Sequence, residues 1–203
     1  MSERNLAEEE QRVLAVLSSR RFQRMKGLGR EVPFFIWAYP PEWELEVAAA
    51  AGRIRTALQT EQGLTVITID LFELAIGMLG ERGVLDRLDE LESRRCKSDF
   101  QHDLQRMLDS TGARQNPAIR KRLDAQPDYD ILFLTGIGKV FPVIRTHTVL
   151  NNLQTVASSR PMLVLFPGEY RQSATLGSAL VLFGRLSDDQ YYRAKNILEQ
   201  EPA

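Results

Sequence analysis

The chain has 203 residues, of which 43% are hydrophobic and 26% charged, and its 26 Lys plus Arg against 27 Asp plus Glu give a formal net charge of −1. This composition excludes a disordered or collagen-like chain and suits one globular domain, and it supplies no global field to draw the protein to DNA or to an anionic membrane. The single cysteine, Cys96, excludes an internal disulfide and a multi-cysteine zinc site.

The first ten residues are acidic and lack an apolar stretch, so no secretory signal is expected. The densest apolar run, Val32 to Tyr39, is far shorter than the ~20 residues that span a bilayer. The expectation is a cytoplasmic protein without membrane contact. Apolar periodicity then splits the chain into helices and strands. The first helix starts at Leu6, capped by Asn5 with Glu8 in a capping box, and carries Leu6, Val13, Leu14 and Leu17 on one face. It runs through a basic stretch to Gly27 and Gly29. Val32 to Tyr39 reads as a strand covered on both faces, stopped by Pro40-Pro41. A helix from Glu42 to Gln59 follows, then Gly63, then a strand from Leu64 to Ile69 ending in Asp70, and a short helix from Leu71.

Residues 80–127 are charged and show three helical patterns: Val84, Leu85, Leu88 and Leu91; Phe100, Leu104, Met107 and Leu108 behind a Ser98–Gln101 capping box; and a basic helix opened by Asn116-Pro117. A piece this small and charged makes a poor independent core, so it reads as a helical insertion within a single domain spanning 1–203. A third strand, Tyr129 to Leu134, leads into Thr135-Gly136-Ile137-Gly138-Lys139, and a helix from Phe141 to Val156 follows with Pro142 in its first turn. A fourth strand, Met162 to Phe166, is ended by Pro167-Gly168-Glu169-Tyr170 and a polar loop. A fifth runs from Ala179 to Phe183 and stops at Gly184. Ser187 with Gln190 caps a last helix striped by Tyr191, Ala194 and Leu198. The fold class is α/β: a mostly parallel sheet of four to five strands flanked by helices, with the helical insertion.

In such folds ligands sit beyond the carboxyl ends of the strands, which marks Tyr39 to Glu42, Asp70 to Glu73, Thr135 to Lys139 and Pro167 to Tyr170. The glycine turn at 135–139 is the most suggestive of these. Backbone N–H groups between a strand and a helix can hold a phosphate or carboxylate, and Lys139 adds a full charge. The phosphate-loop pattern needs Gly, four residues, then Gly-Lys-Ser/Thr. Here the spacing is short and Val140 replaces the hydroxyl, which favours a tight turn with a solvated lysine, with a non-catalytic anion contact between the two readings. Asp70 reads as the cap of the next helix, and Glu73 as a first-turn acid suited to the helix dipole. Glu169 points into a loop. His102 lies on a charged helix and His147 on a partly apolar face, and neither has a second ligand at metal-binding spacing. No serine sits in a Gly-x-Ser-x-Gly elbow, and Cys96 has no evident base. The arginine patches at 20–30 and 114–122 read as solvated helix faces, with a nucleic-acid contact as the rival.

Several segments together carry a family pattern. They are Asp130 to Pro142, continuing after Val143-Ile144 as Arg145-Thr146-His147-Thr148-Val149-Leu150-Asn151-Asn152-Leu153; Leu165-Phe166-Pro167-Gly168-Glu169-Tyr170; Leu182-Phe183-Gly184-Arg185-Leu186; and Asp188 to Ala194. In this order they resemble the BrxB family, the small B component of bacterial BREX phage-defence systems. One departure is the connection Arg171 to Ala179, longer than the family's short loop. The resemblance implies a role in phage resistance alongside partner proteins: a large ATPase, an adenine methyltransferase and the phosphatase-like PglZ. It transfers no catalytic residues and implies no cofactor and no metal.

The expectation is therefore a non-enzymatic assembly or adaptor subunit whose partners are other BREX proteins, PglZ first and the large ATPase second, with DNA contacted indirectly. Its contact or anion-binding residues are Gly136, Gly138, Lys139, Arg145, Asn151, Glu169 and Tyr170. Two alternatives stay open: a diverged nucleotide-binding protein using the turn at 135–139, and a nucleic-acid-binding module using the arginine patches.

Overall fold

The computed structural model describes residues 4–23, 34–108, 115–145, 148–151, 153, 160–173, 177–187 and 194–202. The chain folds into two compact units. The first takes in Met1–Thr68, Asp128–Thr135 and Ser158–Ala203, and the second Ile69–Pro127 and Gly136–Ala157, so residues 80–127 fall within the second.

The first unit begins with α1 (Leu6–Ser18), where Asn5 is the predicted N-cap, its side chain accepting from the Ala7 N–H at 3.0 Å; Glu8 accepts from the Asn5 side-chain amide at 3.3 Å, in place of the reciprocal backbone bond of a capping box. The helix stops earlier than the periodicity suggests. Ser19 is extended, and its Oγ accepts from the Phe22 N–H at 3.2 Å, so it caps the short α2 (Arg20–Gln23) instead of extending α1. Residues 24–33, with Gly27 and Gly29, lie outside the described residues. β1 (Phe34–Tyr39) is buried along its whole length, as a run of aromatics covered on both faces should be. After a 3₁₀ turn at Pro41–Trp43 comes α3 (Glu44–Gln62), closed by Gly63 at φ 65°, with the Gly63 and Leu64 N–H groups both turned back to the Leu58 carbonyl.

β2 (Val66–Asp70) and β3 (Ile131–Thr135) follow the predicted strands closely. β4 (Met162–Ser173) does not. Local preference ends it at Pro167-Gly168-Glu169-Tyr170, yet the strand runs on to Ser173, 12 residues in all. It pairs in parallel with β1 as far as Tyr39 opposite Pro167, and from Gly168 onward it pairs antiparallel with β5 (Gly177–Leu182). Pro167 thus sits where one ladder gives way to another, the kind of break at which a missing N–H is tolerated. A Cβ on Gly168 would collide with the Val181 carbonyl oxygen, so the close approach of the two strands requires glycine there. Of the predicted loop from Arg171 to Ala179, Arg171–Ser173 and Gly177–Ala179 lie in the two paired strands, with Arg171 opposite Ala179, and 174–176 lie outside the described residues.

β6 (Leu186–Ser187) pairs antiparallel with β5, and β7 (Lys195–Asn196) pairs in parallel with β1. A last helix through Ala194 and Leu198 is therefore overturned. Asn196 caps a single 3₁₀ turn, Ile197–Glu199, through the Leu198 N–H, and the buried Ile197 joins the core. Gln190 and Tyr191 lie outside the described residues. The sheet order is β2-β3-β4-β1-β7, with β5 and β6 continuing from β4. The fold is α/β, a mostly parallel sheet flanked by helices. Val13, Val16 and Leu17 of α1 and Val47, Ile54 and Leu58 of α3 pack with Phe35, Trp37, Phe133, Leu163 and Leu165 of the sheet. Each such large apolar side chain contributes about 1.5–3 kcal/mol on burial.

The second unit holds α4 (Leu71–Glu81), α5 (Leu88–Ser93), α6 (Lys97–Leu108), α7 (Gln115–Asp124) and α8 (Ile137–Val140). α6 begins at Lys97, so Ser98 is inside the helix; its hydroxyl meets the Cys96 thiol at 3.1 Å rather than capping. α7 starts two residues before Pro117, which stands in its first turn. The helix expected from Phe141 starts at Ile137 and halts at Phe141. Pro142 forces its predecessor out of the helical region, and Phe141 is extended at φ −70°, ψ 139°. Residues 148–151 return to helix. No helix among the described residues is long and apolar enough to cross a membrane.

Candidate functional site

The strand ends marked by the sequence carry three sets of residues. At the end of β1, Tyr39 is buried and its hydroxyl donates to Glu44 at 2.7 Å. Burial, reinforced by the Glu44 carboxylate, raises the Tyr39 phenol far above its ordinary range and keeps it protonated. Beside it, Arg4 donates to both Glu9 oxygens at 2.7 and 2.9 Å and to the Ala38 carbonyl at 2.8 Å, and lies 5.5 Å over the Trp43 ring. Glu9 also accepts from the Trp37 indole at 3.0 Å. Nothing in the local sequence joins Arg4 to this edge, and the set is visible only once β1 and α1 are packed.

The second set is the glycine turn. Asp70 ends β2 and caps α4, accepting from the Phe72 and Glu73 N–H groups at 2.9 and 3.1 Å, the role the sequence assigns it. Gly136 has φ 76°, and a Cβ there would lie 2.8–3.0 Å from the Asp70 carboxylate. The turn therefore needs glycine for its backbone conformation and for space. Lys139, on α8, brings its Nζ to 3.7 Å from the same carboxylate. The negative charge in the cradle is supplied by the protein's own aspartate. Gly138 lies inside α8, and two exposed aromatics, Phe72 at 42% and Phe141 at 38%, stand two residues after Asp70 and Lys139. Arg145 and Asn151 are exposed, and among the described residues no bond joins their side chains to Gly136 or Lys139. His147 lies outside the described residues; His102 is exposed, with Nδ1 2.8 Å from the Ser98 carbonyl oxygen.

The third set is on the β4–β5 hairpin. Glu169 is in the strand, not in a loop, and accepts from Arg171 Nε and Nη2 at 2.9 and 2.7 Å. Both residues are exposed, so the pair contributes about 0–1 kcal/mol. The Tyr170 hydroxyl donates to the Ala194 carbonyl at 2.9 Å, which ties the hairpin to the chain entering β7. Glu169 also reaches the β5–β6 turn: a Cβ on Gly184 would lie 3.4 Å from its Oε1. Two segments of the sequence pattern, Pro-Gly-Glu-Tyr and Leu-Phe-Gly-Arg-Leu, thus meet in space. Of the expected contact residues, Gly136, Gly138, Lys139, Arg145 and Asn151 belong to the second unit, and Glu169 and Tyr170 to the first. Among the described residues, no three His, Cys, Asp or Glu side chains gather as a metal site. The feature that sequence reasoning misses is Phe183, which has φ 55°; its signal is a residue-plus-Gly pair between two short strands.

Comparison with known proteins bears directly on these segments. The family model "BREX protein BrxB" matches residues 67–197, which include both the glycine turn and the hairpin. A BREX protein BrxB of Bacillus cereus (strain H3081.97) is 34% identical over 197 residues, covering 97% of this chain and 100% of that protein. A second BREX protein BrxB, of Escherichia coli O9:H4 (strain HS), is 29% identical over 174 residues, covering 86% and 82%. No solved structure gives a significant match. The match of the family model across the turn and the hairpin, with a curated relative aligned over almost the whole length, places this chain in the BrxB family, a component of BREX defence.

Proposed function

We propose that the protein is a non-catalytic docking subunit of a BREX anti-phage complex, acting in the cytoplasm by binding other BREX proteins, PglZ first and the large ATPase second. The reading includes one α/β domain bearing 80–127 as a helical insertion. The observation that carries it is the Asp70 carboxylate seated against Gly136 and facing Lys139. A phosphate brought to this turn would meet a fixed negative charge within the space it needs and would have to compete for the lysine. The same contact weighs against the diverged nucleotide site. Of the arginine patches, Lys121 is paired with Glu81 at 3.0 Å, which weakens the case for a phosphate-tracking face.

The residues offered for docking are the exposed Lys139, Arg145 and Asn151 in the second unit and, in the first, the exposed Glu169 with Tyr170 half-buried beside it. The test is co-expression of the tagged protein with each BREX component in turn, with nuclease added to remove DNA bridges. Co-elution with PglZ or the ATPase is the expected result. If the protein stays alone with every component while phage restriction still requires it, the docking role is wrong.

A further inference from the structure

We infer that the β5–β6 turn, Phe183-Gly184-Arg185, is a contact point for another BREX protein that offers an apolar pocket with an acidic rim; this rests on the docking role proposed above. The Arg185 N–H donates to the Leu182 carbonyl at 3.1 Å and the Gly184 N–H to the Val181 carbonyl at 3.3 Å. The two central residues have φ 55° and 67°, the backbone of a type I′ turn. Asn, Asp or Gly suits the first central position, and a bulky aromatic there is an outlier. The Phe183 N–H also donates to the Pro167 carbonyl at 2.9 Å, so the strained residue is fixed to the point where β4 leaves the parallel sheet. The hairpin itself asks for no aromatic at this position, since asparagine would close the same turn with less strain.

The surroundings identify the kind of partner. Phe183 is half-buried, and Leu186 is 42% exposed. Arg185 is exposed and makes no ion pair among the described residues, whereas Arg171 is held by Glu169. The turn thus presents one cation beside two apolar side chains. A nucleic-acid backbone is held by several cations acting together. One arginine next to an aromatic matches the residue types that dominate protein interfaces, and strain retained in a folded chain clusters at functional sites.

Phe183→Asn and Arg185→Glu test the inference, each assayed for melting temperature and for co-purification with every BREX protein. In Phe183→Asn the melting temperature should hold or rise, because asparagine tolerates positive φ, while association with the protein that the wild type binds falls about tenfold or more. Arg185→Glu should leave melting unchanged and weaken association similarly. A lower melting temperature with association retained in Phe183→Asn would make the ring a packing group and overturn the inference. Should Phe183→Asn fail to fold, Arg185→Glu decides, and undiminished association overturns it. A wild type that binds no BREX protein removes both this inference and the docking role, whereas variants that bind like the wild type remove only the turn.

Discussion

At Gly136 and at Phe183 the backbone takes the same left-handed conformation, φ 76° and 55°, once after β3 and once after β5. At the first position every demand is met from within the chain. Glycine supplies the conformation, its missing Cβ leaves room for Asp70, and Asp70 caps α4 while facing Lys139. At the second position a phenylalanine occupies a place that suits glycine or asparagine, and the nearby Arg185 makes no ion pair among the described residues. A turn whose parts answer one another needs nothing outside the chain to explain it. The second keeps an ill-fitting residue beside an exposed arginine, which is why the proposed contact with another BREX protein lies there, while Gly136 and Asp70 serve the architecture of the first.

The largest expected effect comes from breaking the self-contained turn. Gly136→Ala combines an unfavourable φ with a collision against a carboxylate held by two N–H bonds, and should cost about 2–4 kcal/mol in urea unfolding. A cost below about 1 kcal/mol would mean that the aspartate moves aside freely, and the contrast between the two turns would dissolve. Asp70→Ala should cost about 1–2 kcal/mol, chiefly through the lost cap. It also sharpens the comparison, because it removes the carboxylate facing Lys139. Millimolar ATP should leave the wild-type melting temperature unmoved; a rise that disappears in Lys139→Ala would restore the nucleotide reading.

The sequence exposes one of these turns better than the other, for a physical reason. Asp70 before an apolar helix is a local signal, since the cap bonds to N–H groups two and three residues on, and it is legible. So are the Asn5 cap, β1 and β3, where a dense apolar run or a capping residue fixes the element by itself. Pro167-Gly168 misleads because proline and glycine are read as a turn from local preference, whereas pairing with β5 holds Gly168 in a strand. β7 is hidden because two residues carry no periodicity; only the neighbouring β1 makes Lys195–Asn196 a strand. The contact of Asp70 with Gly136 is a product of tertiary packing, which no spacing rule within one segment could announce, and the left-handed Phe183 is signalled only by a residue-plus-Gly pair between two short strands.

A smaller effect separates backbone strain from the carboxylate collision. Gly184, next to Phe183, has φ 67°, but a Cβ there would meet only the end of the flexible Glu169 side chain at 3.4 Å. Gly184→Ala should therefore carry the conformational cost alone, about 1–2 kcal/mol, and less than Gly136→Ala in the same urea series. Equal costs at the two positions would show that φ governs both turns and that Asp70 adds nothing at Gly136. The smallest effect belongs to Lys139→Met. Its side chain is half exposed and its ammonium lies 3.7 Å from Asp70, so the pair is worth about 0–1 kcal/mol, and about 1 M salt should erase most of the difference from the wild type. If Lys139→Met instead costs as much as Asp70→Ala, and salt does not reduce it, the ammonium itself holds the glycine turn, because methionine keeps an aliphatic stem of similar length. The turn would then be closed by a charge pair shielded from solvent, and not by the cap and the missing Cβ alone.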